Sequence, residues 1–147
     1  MSRAFVKESE PDAPIELPER PVSSLRNLMT PEGYESMRSL YQGLQDELDQ
    51  LRGIEEIAAR NRRAELQRDI RYYAIRLQSA EVVECPIADT VRFGHRVSFT
   101  DDNKKNYYFQ IVGEDEVDAA RQKISWASPL AKILIGQQVG DICCWHK

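Results

Sequence analysis

Two runs of heptad-spaced apolar residues, a later switch to alternating apolar residues, and the Cys85-Pro86 break between the two patterns predict an α+β chain. The expected architecture is an N-terminal antiparallel two-helix coiled coil followed by a small β-domain with one short helix. The boundaries follow the pattern changes: a proline-rich arm over 1–28, a coiled-coil hairpin over 29–82 and a β-domain over 88–147.

The arm holds Pro11, Pro14, Pro18 and Pro21 among mixed charges. Proline fixes φ and lacks an amide donor, so this stretch is expected to be extended or disordered, or to pack on the rest as an arm. Thr30-Pro31-Glu32 then reads as a helix start. A threonine side chain can cap free amides, proline suits the first helical position, and an acid favours the positive end of the helix dipole. Tyr34, Met37, Tyr41, Leu44, Leu48 and Leu51 follow at alternating spacings of three and four, the seam of a coiled coil. Gly53 suits the residue just past the helix end, where a positive φ is needed.

The second helix is expected to begin near Glu55 and Glu56. Ile57 and Ala59 stand at its start, and Leu66, Ile70, Tyr73, Leu77 and Ala80 continue the seam. So few residues separate the two seams that the helices must pair antiparallel. The first helix carries Glu32, Glu35, Asp46, Glu47 and Asp49; the second carries Arg60, Arg62, Arg63, Arg68, Arg71 and Arg76. Opposite flanks of this kind favour the pairing, although each exposed pair contributes well under about 1 kcal/mol. The arginine row is open to two readings, a solvated face or a contact for an acidic partner.

From Val91 the period changes to two. Val91, Phe93, His95, Val97 and Phe99 alternate as a half-buried strand should. Asp101-Asp102-Asn103 is a turn cluster, and residues 107–112 form a second strand of a hairpin. An acidic loop over 113–118 leads to a short strand at Ile124-Ser125-Trp126. Ser128-Pro129 opens a short helix that Gly136 closes, and a last strand is expected over Ile142 to Trp145. That strand would have an unpaired edge, so the β-domain is expected to lack its last strand or to cover the edge with another element.

The chain has 147 residues, of which 41% are apolar and 30% charged, with a net charge of -4. The size suits one small domain plus a helical appendage. The acidic balance argues against wholesale binding to naked nucleic acid. No run of about 18 apolar residues is present to span a membrane, and the N-terminus lacks the apolar core of a secretory signal. Three cysteines, Cys85, Cys143 and Cys144, point to reduced thiols in the cytoplasm. Cys143, Cys144 and His146 lack chelating Cys-x-x-Cys spacing and read more simply as strand residues, so no intrinsic metal or cofactor is expected.

The C-terminal half resembles the C-terminal domain of the GreA/GreB transcript cleavage factors. The matching residues are Val91, Phe93-Gly94, Val97, Ile111-Val112-Gly113, Asp115-Glu116, Asp118, Ile124-Ser125, Ser128-Pro129-Leu130-Ala131, Leu134-Ile135-Gly136 and Val139-Gly140-Asp141. Thr30-Pro31-Glu32-Gly33-Tyr34 also looks like the start of that family's first helix. The resemblance implies an FKBP-like β-domain that grips the rim of the RNA polymerase secondary channel, and a coiled coil pushed into the channel. It implies nucleic acid contact only through the elongation complex. Asp115, Glu116, Ser128, Pro129 and Leu130 match segments kept near the docking surface, although Ser128 and Pro129 also have a complete role as a helix start.

Cleavage-active relatives carry Gly-Asp-x-x-Glu-Asn-Ala-Glu-Tyr between the helices, where acids help to hold magnesium in the polymerase active site. Magnesium takes oxygen ligands, and a second metal stabilises the attacking and leaving oxygens. This chain has no such motif. Around the turn it reads Leu51-Arg52-Gly53-Ile54-Glu55-Glu56-Ile57, and Glu55 and Glu56 are the nearest acids. Asn61 and Ala64-Glu65 match fragments of the motif, but Arg60 stands where an acid should precede Asn61. A first helix of about 22 residues reaches roughly 33 Å, shorter than the arms of active relatives and similar to the stubby coiled coil of the regulator of nucleoside diphosphate kinase.

The expectation is therefore a polymerase-binding factor that is not itself an enzyme and does not cut RNA. One alternative stimulates the polymerase's own cleavage through Glu55 and Glu56. A second is a prolyl isomerase with Phe93, Phe99, Tyr107, Tyr108, Phe109 and Trp126 lining a pocket, and a third is a structural homodimer. Fold alone does not imply isomerase function, and at strand spacing these rings read as core and surface pairs.

Overall fold

The computed structural model describes residues 17–145. Two long helices form a hairpin: α1 spans Pro31–Gln50 and α2 spans Ile57–Ser79. Thr30 caps α1 with its side chain accepting from the Gly33 amide at 3.0 Å, and Pro31 occupies the first turn. Gly53, at φ 79°, turns the chain between the helices. The helices run antiparallel: Glu47, late in α1, meets Arg62, early in α2, while Leu77, late in α2, lies beside Tyr34 and Tyr41. Met37 and Leu66 are buried, and the other seam positions from Tyr34 to Leu77 are half-buried, as expected when each helix has only one neighbour. Ile57 departs from its expected seam position and is 65% exposed, whereas Ala59 is buried. The helix begins only at Ile57, so Glu55 and Glu56 precede its first turn instead of lying in it.

At the base of the hairpin two short strands pair in parallel, β1 (Leu28–Met29) with β2 (Glu81–Val82). Each is two residues long, and no periodicity announces either. They tie the entrance of α1 to the exit of α2. Residues 17–27 have no regular structure and lie along α2, where Glu19 pairs with Arg71 at 2.7 Å and Arg20 with Asp69 at 3.4 Å. The rest of the proline-rich arm, 1–16, falls outside the described residues, as does His146.

The β-module holds a three-stranded sheet in the order β3 (Arg96–Thr100), β4 (Asn106–Val112), β5 (Lys123–Ser125). β3 and β4 are antiparallel, with Val97 opposite Phe109; β4 and β5 are parallel, with Ile111 opposite Ile124. α3 (Pro129–Leu134) packs on the sheet, and Ile111, Leu130, Ala131 and Leu134 form the buried core. With two long helices and this small sheet, the chain is α+β.

Two strand expectations are corrected. β3 starts at Arg96 and not at Val91, because Gly94 adopts φ 87° and the Arg92 amide donates to His95 Nδ1 at 3.0 Å, making a turn of residues 92–95. The expected strand over Ile142–Trp145 is absent. Gly140, at φ 92°, sits in a turn closed by the Gln138 amide on Asp141 Oδ2 at 2.8 Å. Residues 142–145 are without secondary structure, and Ile142 is 96% exposed. Among the described residues of this segment, only Trp145 packs against the core.

Candidate functional site

The sequence nominates three places, the tip of the hairpin, the acidic segment of the β-module and the start of α3. At the tip, Arg63 donates to the carbonyl oxygens of Leu51 at 2.6 Å and Ile54 at 2.7 Å, closing the C-terminal end of α1. Arg62 grips Glu47 with two bonds of 2.7 and 2.9 Å and reaches Glu65 at 3.1 Å. The Arg62 hydrogen bond holds the Glu47 carboxyl below its ordinary range. These contacts leave the side chains of Glu55 and Glu56 exposed and without hydrogen-bond or ion-pair partners among the described residues, between Ile54 and Ile57.

As hard oxygen donors Glu55 and Glu56 fit magnesium in kind. Among the described residues, no group of three or more His, Cys, Asp or Glu side chains is gathered as a metal site. Two carboxylates supply only part of the oxygen shell that magnesium takes.

The acidic segment is built differently. Residues Glu114–Glu116 form a single 3-10 turn directly after β4. Asp115 accepts from the Tyr72 hydroxyl through Oδ1 and from Arg76 Nε through Oδ2 at 2.6 Å. Arg76 is 2% exposed, and its other end stands 3.9 Å from Glu114. A buried guanidinium requires such a partner, since its charge would otherwise be desolvated without compensation. Burial, then the Asp115 hydrogen bond, raise the Tyr72 phenol to about 12.

Glu116 faces the other helix. Its Oε2 accepts from the Thr30 amide at 3.1 Å and the Gly113 amide at 2.9 Å, and its Oε1 accepts from the Thr30 hydroxyl. Two glycines make the approach possible. A methyl group at Gly33 would overlap the Glu116 carboxylate, and one at Gly113 would overlap the Leu28 carbonyl. The arm completes the assembly. The Arg20 guanidinium lies 3.9 Å over the Tyr72 ring, and Asn27 Nδ2 donates to the Arg76 carbonyl at 2.7 Å. Beside this joint a cleft of about 300 Å3 is floored by Met29, Met37 and Tyr73.

Ser128, Pro129 and Leu130 open α3. Ser128 Oγ accepts from the Ala131 amide at 3.2 Å, Leu130 is buried in the core, and Pro129 is exposed. No hydrogen bond or ion pair among the described residues joins them to Asp115 or Glu116, so the structure brings the acidic pair together with the helices and not with the α3 start. Of the six aromatic residues considered for an isomerase pocket, Phe99, Tyr107 and Phe109 stack with centroids 5.0 to 6.2 Å apart, Phe93 and Trp126 pack against the core, Tyr108 is exposed, and none of them lines the joint cleft.

Sequence reasoning missed Arg76, Tyr72 and the second task of Thr30. Arg76 is one of six arginines in α2, and spacing alone gives no reason to separate it from the solvated ones. Gly33 did carry a signal, a helix-weakening residue in the first turn with no local purpose.

The family described as "Transcription elongation factor, GreA/GreB, C-term" matches residues 86–147. A transcription elongation factor GreB of Neisseria meningitidis serogroup B is 35% identical over 134 residues, covering 79% of this chain and 82% of the relative. A transcription elongation factor GreA of Chelativorans is 33% identical over 133 residues, covering 78% and 84%. Among solved structures, a GreA/GreB elongation factor from Nitrosomonas europaea aligns at 22% identity and a TM-score of 0.37, covering 84% of this chain and 88% of its own. A GreA factor homolog of Thermus thermophilus aligns at 22% identity and a TM-score of 0.38, covering 80% and 87%.

Proposed function

The chain belongs to the GreA/GreB family of transcription elongation factors, and from that membership we propose that it binds RNA polymerase at the secondary channel without promoting transcript cleavage. The observation that carries this reading is the tip. The rod is short, since the 20 residues of α1 extend about 30 Å at 1.5 Å per residue. It ends in Ile54-Glu55-Glu56-Ile57, where cleavage-active relatives carry an acid-rich loop. The exposed Pro129, at the start of α3, is the docking candidate of the β-module. The factor acts in the cytoplasm, needs no cofactor of its own, and meets magnesium only inside the polymerase. It reaches nucleic acid only through the elongation complex.

Core RNA polymerase immobilised and titrated with the full chain tests this. Saturable binding, displaced by a cleavage-active Gre factor, is the expected result; no binding, or binding that such a factor does not displace, rejects the reading. One observation favours a second reading, in which the chain stimulates the polymerase's intrinsic cleavage: the side chains of Glu55 and Glu56 stand at the far end of the rod with no partner among the described residues. In that case the Glu55→Ala/Glu56→Ala chain would bind as before and lose its effect on RNA.

A further inference from the structure

We propose that Asp115 and Glu116 are positioning residues that fix the direction in which the rod leaves the β-module, acting through Tyr72, Arg76 and Thr30 and not by touching the polymerase. The role assigned to that direction rests on the reading above, in which the rod enters a channel.

The argument starts from the oxygens. A carboxylate has two, and in both residues the two are engaged inside the molecule: Asp115 by Tyr72 and Arg76, Glu116 by Thr30 and Gly113. Asp115 has a side-chain exposure of 14% and so offers little to a partner surface. The two residues are adjacent in one 3-10 turn, yet one holds α2 and the other holds the start of α1. A single rigid turn of the β-module thus grips both helices at their base. Charge-assisted hydrogen bonds of this kind are short and directional, so they set an angle as well as a distance. Gly33 and Gly113 allow the turn to approach to hydrogen-bonding distance. The arm acts on the same point, because Arg20 stacks on the ring whose hydroxyl Asp115 holds.

A rod held at one angle enters a channel without first losing rotational freedom, which is how preorganisation raises affinity. Loosening the turn should therefore widen the range of rod directions and weaken binding together, while the folded β-module persists.

The test uses the full chain with Cys85, Cys143 and Cys144 changed to serine and spin labels attached through Arg52→Cys at the tip and Asp102→Cys at the β3–β4 turn. The interspin distance is measured with and without Tyr72→Phe plus Glu116→Gln, and each form is titrated against core polymerase. The unsubstituted chain should give one narrow distance. The double variant should melt cooperatively, broaden the distribution about twofold, and bind polymerase about fivefold more weakly. Should the double variant fail to fold, Glu116→Gln alone, which leaves the Arg76 pair intact, carries the same prediction. A broad distance in the unsubstituted chain, or an unchanged width in the folded variants, overturns the proposal. Broadening with unchanged polymerase affinity also overturns it, since Asp115 and Glu116 would then hold the rod without serving docking. If no form binds polymerase, the functional reading fails, and the distances alone still decide whether the acidic turn fixes the rod.

Discussion

The two ends of the helical rod are built to opposite plans. At the tip, Glu55 and Glu56 stand exposed beside two partly exposed isoleucines, Ile54 and Ile57. At the base, Asp115 and Glu116 are enclosed by donors from both helices, and Arg76 is buried against them. The same residue types therefore do different work. A carboxylate whose oxygens are occupied inside the fold orients the fold, whereas one with open oxygens faces whatever the rod meets.

The contrast is sharpest in the stability of variants. Asp115→Ala would leave the buried Arg76 charge without its hydrogen-bonded partner, with only Glu114 at 3.9 Å, and breaking such a pair costs about 3–5 kcal/mol. Urea unfolding should show the midpoint falling accordingly, and a loss below about 1 kcal/mol would mean that the pair does not secure the joint. Gly113→Ala should follow, at about 2 kcal/mol, because its methyl meets a backbone carbonyl that can move only with β1. A neutral result in the same unfolding experiment would show that the close approach is dispensable.

Titration supplies a smaller and more specific effect. The Tyr72 phenol is raised to about 12 in the folded chain against about 10 for an unperturbed tyrosine. The neutral form is thus the one the fold favours. Its contribution is fully present below about pH 10 and is lost as the pH rises through about 12. Stability followed by circular dichroism should decline over that window, and the Tyr72 component of the decline should disappear in Tyr72→Phe. Smallest of all, Glu55→Ala/Glu56→Ala should change stability by no more than about 0.5 kcal/mol, as expected for exposed residues with no internal partner. A larger loss would show the tip acids to be structural, and the contrast between the two ends would collapse.

The sequence was informative where structure is local and periodic. The seam from Tyr34 to Leu51 and the Thr30-Pro31 start gave α1; Ser128-Pro129 gave α3; the turn at Gly53 followed from its position between the seams. It was less informative where the partner is distant. The parallel pair β1–β2 joins residues 53 apart, as Leu28 lies beside Glu81, and a two-residue strand leaves no pattern to read. Asp115 and Glu116 were noticed as an acidic pair, but their partners, Arg76 and Thr30, are 39 and 86 residues away. The strand expected at Ile142–Trp145 shows the opposite error. Its composition suits a strand, yet the turn at Gly140 leads it away from the sheet, and side-chain propensity has no value without a neighbouring strand. At the tip, the Arg62–Glu47 and Arg63–Leu51 contacts join residues 15 and 12 apart across the hairpin, and only the charges on the two helices hint at the first of them.

The most direct test of the account is the fate of RNA in a backtracked elongation complex. The protein should displace a cleavage-active Gre factor and leave the transcript at full length over the time in which that factor releases short 3′ fragments. Release of such fragments by this protein, abolished in Glu55→Ala/Glu56→Ala, would contradict it.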